Sequence, residues 1–489
     1  MEPVTLTPHD DAVAALEPFG TLPDWLAAVM RPGRLEESLR RHAPGLGDGG
    51  PTLVGAETDQ LRAKGDRWLV RVVVTLAWPE REEPTEVALV GELHPPHRSD
   101  PPTDVAAEPA SEGSAVRPGD PGWRVRLPDL RLELTAEESD VALPSLGDLV
   151  DPDASARLIE SMLRAGSYPS ARVASTVPTI ARYKPGSRCT IVYDVAYDPP
   201  SARLPNPVIA KTHQGEKGVR SHEAMTALWA TALSSGEDAV IAEPLGYLTG
   251  EHIQLQGPVP EDRILKDLAH KAFETEDPAL MQDLRRHLRA TAHALAALHT
   301  SGAELGETIG FADELSAARA LVDDLGSTVP DLPRWAEPTL GLLDSGDRRL
   351  PADPAVSSHN SFSPAQVLLG PGAPAIIDFD SAAMGEPAMD VGRFQAGLRC
   401  VGVPALAKRP GGYREDLLLS RLALLDDLCA AFLDDYRSRA PVTPERVALW
   451  ESLDLFTSLL HTWTKGRIEK VTPRLATLRH SLRARELAG

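Results

Sequence analysis

Residues 356–394 constrain this chain more than any other stretch. Two short apolar runs, Gln366–Leu369 and Ala375–Ile377, flank a Gly-Pro-Gly turn at Gly370–Gly372. That pattern predicts a β-hairpin. Polar residues gather at its open end: His359, Ser361 and Gln366 before the turn, Asp378 and Asp380 after it. Such an end suits a metal ion and a phosphate. Magnesium takes hard oxygen ligands, usually one or two carboxylates plus phosphate oxygens and water.

Charge and composition narrow the partners. The chain has 489 residues, with 71 acidic against 50 basic and a net charge of −21. Two or three domains are expected. A polyanion such as bulk nucleic acid is excluded as a partner, because binding phosphates takes a basic surface. Three scattered cysteines, Cys189, Cys400 and Cys429, are too few for a disulfide framework or a zinc site and are read as reduced packing residues. No apolar run reaches about 18 residues, so no membrane span is expected. The first residues are acidic and lack an apolar core, which is unlike a signal peptide and points to the cytoplasm.

Read in order, the chain opens with short helical patterns within residues 10–45. Strands follow at Leu61–Lys64, Trp68–Trp78 and Val87–Val90. Residues 95–122, rich in Pro, Ser, Asp and Ala, read as a linker or mobile loop. A further β-like piece spans Trp123–Leu134. A helix is predicted over Ala154–Ala165, then strand, turn and strand through Ile180–Tyr183, Lys184–Ser187 and Cys189–Tyr197, then Pro207–Lys211. The first β-region is a faint copy of the second, or a chance likeness of two hairpins. Leu61–Trp68 parallels Ala181–Arg188, and Val90 or Gly91 falls where the second region has Lys211. Next come a helix over Gly218–Thr231 carrying Glu223, a strand at Ile253–Gln256 and the breaker Gly257-Pro258-Val259-Pro260. Leu284, Leu288, Leu295 and Leu298 mark the buried face of a helix over Met281–His299. Helices around Arg414–Arg437, Pro444–Thr462 and Pro473–Leu487 close the chain, with Trp450, Phe456 and Trp463 in or near a packed core.

The hairpin region resembles the catalytic and metal-binding loops of the aminoglycoside phosphotransferase and choline kinase families, which share the protein-kinase-like fold. Their first loop runs His-x-Asp, then Asn five residues later. Their second runs Ile-Asp-Phe/Trp-Asp/Glu, then Gly-Asp/Glu-Pro and a further Asp. Asp378, Asp380, Gly385, Pro387 and Asp390 match the second loop. The first loop departs twice: Ser361 stands in the place of the catalytic Asp, and Gln366 in that of the metal-binding Asn. Val208-Ile-Ala-Lys211 is also close to the kinase third-strand motif. The resemblance covers about residues 155–485.

It implies an α+β, two-lobed fold: a small β-rich lobe over residues 151–257 and a helical lobe over 258–489. Before them, residues 1–150 would form an accessory domain, either a degenerate lobe copy or a surface for a partner protein. ATP and Mg²⁺ are the implied cofactors. Lys211, held by Glu223, would bind phosphates, helped by Gly186 and Arg188 in the turn that covers them. Asp378 and Gln366 would ligate the metal. Ser361 would stand at the catalytic position, with Asp380 taking the proton, ligating the metal or only forming the turn. His359 and Asp390 would support the loop. Asp426, Asp427, Asp434 and Asp435 form either an acidic wall for a cationic substrate or a solvated helix face. The implied activity is phosphoryl transfer to a hydroxyl of a small molecule or of a Ser/Thr peptide in a biosynthetic pathway. The alternative is a nucleotide-binding pseudokinase that acts as a scaffold, because a serine cannot accept a proton as a carboxylate does.

Overall fold

The computed structural model describes residues 8–43, 45–47, 50–64, 67–96, 123–136, 143–184, 186–215, 217–409 and 412–488. Most of the expected linker over 95–122 and Pro185 of the turn lie outside these. The chain divides into two units. The first gathers Met1–Glu138, Ser316–Leu342 and Phe456–Ala476, and the second Ser139–Leu315, Leu343–Leu455 and Thr477–Gly489. No helix among the described residues is long and apolar enough to cross a membrane.

The first unit holds a five-stranded sheet of β1 (Thr52–Lys64), β2 (Arg67–Ala77), β3 (Thr85–Leu93), β4 (Arg124–Leu127) and β5 (Leu132–Ala136), in the order β1-β2-β3-β5-β4. Every pairing is antiparallel. Strand β2 shows why the segment is a strand. Trp68, Val70, Val72, Val74 and Leu76 alternate inward and are buried, and β-branched side chains fit a pleated, half-buried surface. Trp463 completes this core. Its ring stacks on Phe19 at 4.8 Å and meets Trp68 edge-on at 5.4 Å. The Trp68 indole N–H donates to Thr328 Oγ1 at 3.0 Å.

The second unit has a β-rich part and a helical part, the expected α+β division. Its larger sheet contains β6 (Val173–Lys184), β7 (Arg188–Tyr197), β8 (Val208–His213), β10 (Pro244–Leu248) and β11 (Ile253–Gln256). The short strand β9 (Val240–Ile241) belongs to another sheet. The order β6-β7-β8-β11-β10, antiparallel throughout, repeats that of the first unit. A helix over Pro152–Ala165 packs Ile159, Met162 and Leu163 into the same apolar cluster as Cys189, Ile191 and Tyr193 of β7. Asp151 caps it by accepting from the Ala154 N–H at 2.7 Å.

The register corrects one correspondence between the two sheets. Hairpins close at Lys64↔Arg67 and Lys184↔Arg188. Two residues beyond each closing arginine, Leu69 pairs with Glu92 and Thr190 with Lys211. Glu92, rather than Val90 or Gly91, therefore occupies the lysine's place. The first turn is one residue shorter, which shifts the alignment. Glu92 is paired with Arg67 at 2.9 Å, and a carboxylate there would repel phosphate.

In the helical part, the helix over Pro278–His299 is capped by Asp277, which accepts from Ala279 and Leu280 N–H. Leu284, Leu288, Leu295 and Leu298 line its buried face, as the spacing predicts. The expected hairpin is present: β15 (Val367–Leu369) pairs antiparallel with β16 (Ala375–Ile376), flanked by β12 (Arg263–Ile264) and β9. Three further short strands, β13 (Thr308–Ile309), β14 (Val356–Ser358) and β17 (Ala383–Gly385), make a small sheet beneath the loops.

Trp463→Ala empties a fully buried aromatic site, so a loss of about 3–5 kcal/mol is expected. It would appear as an earlier urea transition. An unchanged midpoint would contradict the packing.

Candidate active site

The site begins with strand periodicity. Successive side chains on a strand alternate faces, so Lys211 and His213 of β8 point the same way. The register sets Arg188 of β7 opposite His213. Three nitrogen-bearing side chains of the small lobe thus share one face. The chain reaches them from the helical lobe just past β16, where Asp378 takes a left-handed backbone with φ of 72°.

There the charges meet. Lys211 Nζ donates to Asp378 Oδ1 at 3.0 Å and lies 3.5 Å from Asp380 Oδ1. Arg188 donates to Asp380 Oδ2 at 2.8 Å and to Asp378 Oδ1 at 3.3 Å. His213 Nε2–H donates to Asp380 Oδ2 at 3.0 Å, and the Ser221 hydroxyl to Asp380 Oδ1 at 3.2 Å. Burial alone would raise the Asp380 carboxyl. The His213 hydrogen bond and the charges of Lys211, His213 and Arg188 outweigh it and hold the carboxyl well below the usual range.

A second set of contacts fixes the loop. Asp390, fully buried, accepts from the backbone N–H of His359 at 2.6 Å and of Asn360 at 2.8 Å, and from His299 Nε2 at 3.1 Å. Burial opposes its charge, but the His299 hydrogen bond and charge, with the His359 backbone N–H, keep its carboxyl low. Asn360 is itself left-handed, with φ of 61°, and Arg393 donates to both of its oxygens. The His359 ring donates from Nε2 to the Ile377 carbonyl at 2.9 Å, tying the first loop to the second. Ser361 Oγ lies 3.2 Å from His359 Nδ1.

Lys211, Arg188, Asp378 and Asp380, all expected from sequence, come together. Gln366 is tied to the second loop, its backbone carbonyl accepting from the N–H of Ile377, the residue before Asp378, at 3.0 Å. Its side-chain oxygen accepts from the Ser363 hydroxyl and keeps a second lone pair for a metal. Gly186 is left-handed, φ 66°, in the turn before Arg188, with open space where a Cβ would be. Glu223 is a correction. It is exposed and, among the described residues, makes no ion pair with Lys211. The helix Lys217–Trp229 buries Ser221, Ala224, Met225 and Leu228. At about 100° per residue, Glu223 falls on the opposite side. The lysine's partners are the two aspartates. His213 and Ser221 were not anticipated, although the two-residue step from Lys211 to His213 was a readable signal. On the acidic helix Glu415–Arg437, Asp426 pairs with Arg399 and His480 and Asp435 with Arg289, while Asp427 and Asp434 are exposed.

Among the described residues no group of three or more His, Cys, Asp and Glu side chains could hold a metal alone. The donor set nevertheless suits magnesium, whose remaining ligands would be phosphate and water oxygens. The cationic set suits the phosphates.

Residues 217–442 match the family model described as the phosphotransferase enzyme family, APH. The matched residues, apart from Ser316–Leu342, lie within the second unit, which combines a β-rich and a helical part. No curated protein matches the chain. Among solved structures it is similar to a glucosamine kinase at 15% identity and a TM-score of 0.46, covering 95% of this chain and 99% of that one. It is similar to a choline kinase from Streptococcus pneumoniae at 14% identity and a TM-score of 0.43, covering 67% and 98%. An aminoglycoside 2'-phosphotransferase-IIIa variant with GDP gives 14% identity and a TM-score of 0.40, covering 68% and 99%.

The cluster also sets an acid dependence for the second unit. Asp380 titrates lower in the folded chain than in the unfolded one, where about 3.9 is ordinary. Its stabilisation is therefore complete above that value and is lost as pH falls through the lower folded value. Stability measured against pH should decline less steeply below about pH 4 in Asp380→Asn than in the wild type. Equal slopes would contradict the pairing.

Proposed function

We propose that the chain is an ATP- and Mg²⁺-dependent phosphotransferase acting on a hydroxyl of a small molecule or of a Ser/Thr peptide. The observation that carries this reading is the 3.0 Å contact between Lys211 Nζ and Asp378 Oδ1. It brings a small-lobe cation and a large-lobe carboxylate to one point within a phosphotransferase-family segment. Lys211 and Arg188 would hold phosphate oxygens. Asp378, with Asp380 and Gln366, would hold the metal, whose charge would offset that spread over the transferring phosphoryl group.

The chain's own residues do the positioning. Asp390 fixes the backbone of His359 and Asn360, and His359 fixes Ile377, the residue before Asp378. Ser221 and His213 orient Asp380. Phosphoryl transfer runs through a loose transition state and depends mostly on position and charge. A serine in place of the general base therefore slows transfer, general-base help being worth about 10²–10⁴-fold.

Mg-ATP is expected to raise the melting temperature of the full chain. Saturation at a hundred times Kd would add about 2.7 kcal/mol. Asp378→Ala should abolish that shift and the ADP formed by slow turnover, whereas Glu223→Gln should leave both unchanged. Absence of any shift in the wild type would refute nucleotide binding. A shift without turnover on any acceptor would make the chain a nucleotide-binding scaffold instead.

A further inference from the structure

By the resemblance of its loop Ser361 stands where a general base is expected, and its hydroxyl does not stand alone. Its oxygen lies 3.2 Å from His359 Nδ1. The other ring nitrogen, Nε2, is 2.9 Å from the Ile377 carbonyl. A carbonyl can only accept, so Nε2 carries the proton. In the neutral ring Nδ1 is then a lone pair. The Ser361 O–H must therefore donate to Nδ1. This leaves the lone pairs of the Ser361 oxygen to accept a further O–H. The serine is half-buried and reachable, whereas His359 is fully buried. The Phe362 and Phe379 rings close over the imidazole at 5.7 and 5.0 Å.

On this geometry, and resting on the phosphotransferase reading, we infer that Ser361 and His359 together replace the absent carboxylate as a two-step proton relay. The acceptor oxygen bonds to the γ-phosphorus of ATP. The bond from that phosphorus to the β,γ-bridging oxygen breaks, and its electron pair leaves with ADP. The acceptor's proton passes to Ser361 Oγ as the serine's own proton passes to His359 Nδ1. The imidazolium so formed sits beside the Asp390 carboxylate, which already accepts from the His359 backbone. Return of the proton through Ser361 to solvent resets the pair. Other charged groups around the ring are compensated. His299 shares Asp390 Oδ2 with the His359 backbone N–H, Arg393 is spent on Asn360 and Glu314, and Asp378 and Asp380 face Lys211, Arg188 and His213.

Two measurements on the full chain test this. The first follows ADP release from Mg-ATP with water as the acceptor. Ser361→Ala should lower kcat about 10²-fold, the lower end of general-base effects, with KM for ATP unchanged. Ser361→Thr, which keeps the hydroxyl, should retain most of the rate. Ser361→Asp should restore it, with the acid limb of kcat moved to lower pH because a carboxylate then takes the proton directly. The second is long-range proton–nitrogen NMR of the nucleotide-free protein. His359 should be protonated at Nε2, and Ser361→Ala should shift its Nδ1 resonance. If the wild type releases no ADP, the phosphotransferase reading falls and the relay with it. If the wild type is active and Ser361→Ala matches it, or if His359 is protonated at Nδ1, the relay alone is overturned.

Discussion

Two carboxylates, a lysine, an arginine and a histidine meet at the end of β8, and the arrangement of the second unit depends on their balance. Taking ions out of water costs several kcal/mol each. Such a cluster persists only where every charge is met. Here Lys211 and Arg188 each touch both aspartates, and Asp380 accepts further bonds from Ser221 at Oδ1 and His213 at Oδ2. The cluster joins strand to loop, so it couples the β-rich part to the helical part. Asp378 sits in a left-handed backbone, a strain of order 1–3 kcal/mol for a residue other than glycine. The contacts of its carboxylate and the hydrogen bond between His359 and Ile377 offset that strain.

The loop opposite is held by a different device. One buried carboxylate, Asp390, collects two backbone N–H groups and a histidine. The histidine in turn contacts the Tyr436 hydroxyl through Nδ1 at 2.7 Å. A row of rings, Phe362 on Phe394 and Phe394 on Phe432, supports it from below at 5.4 and 4.3 Å. Charge fixes the backbone and apolar stacking fixes the platform. Ser361 projects from a segment that cannot easily relax, which is what a proton relay requires.

The hairpin, Lys211, Asp378 and the buried face of Pro278–His299 were legible because each follows from a local pattern: a turn between apolar runs, a strand end, or a helical period. Glu223 was misplaced because its role was carried over from the resemblance, while the apolar spacing of its own helix sets it on the outer face. Glu92 was missed at the lysine's counterpart because a one-residue difference in turn length moves the register, and residue counting does not see a turn's geometry. The pairing of Trp463 with Phe19 and Trp68 joins residues hundreds apart in the chain. No local periodicity encodes which distant aromatic completes a core.

The two sheets of this chain make the separation of fold and chemistry concrete. They share a strand order, an antiparallel plan and a closing arginine at the first hairpin. One places a lysine two residues past that arginine's strand position and gathers carboxylates from the helical lobe. The other places Glu92 there and pairs it with Arg67. The backbone plan is equally sound in both, because apolar alternation stabilises each sheet regardless of the charge at that point. What a phosphate would meet is opposite in sign. Function therefore follows from the site and not from the fold.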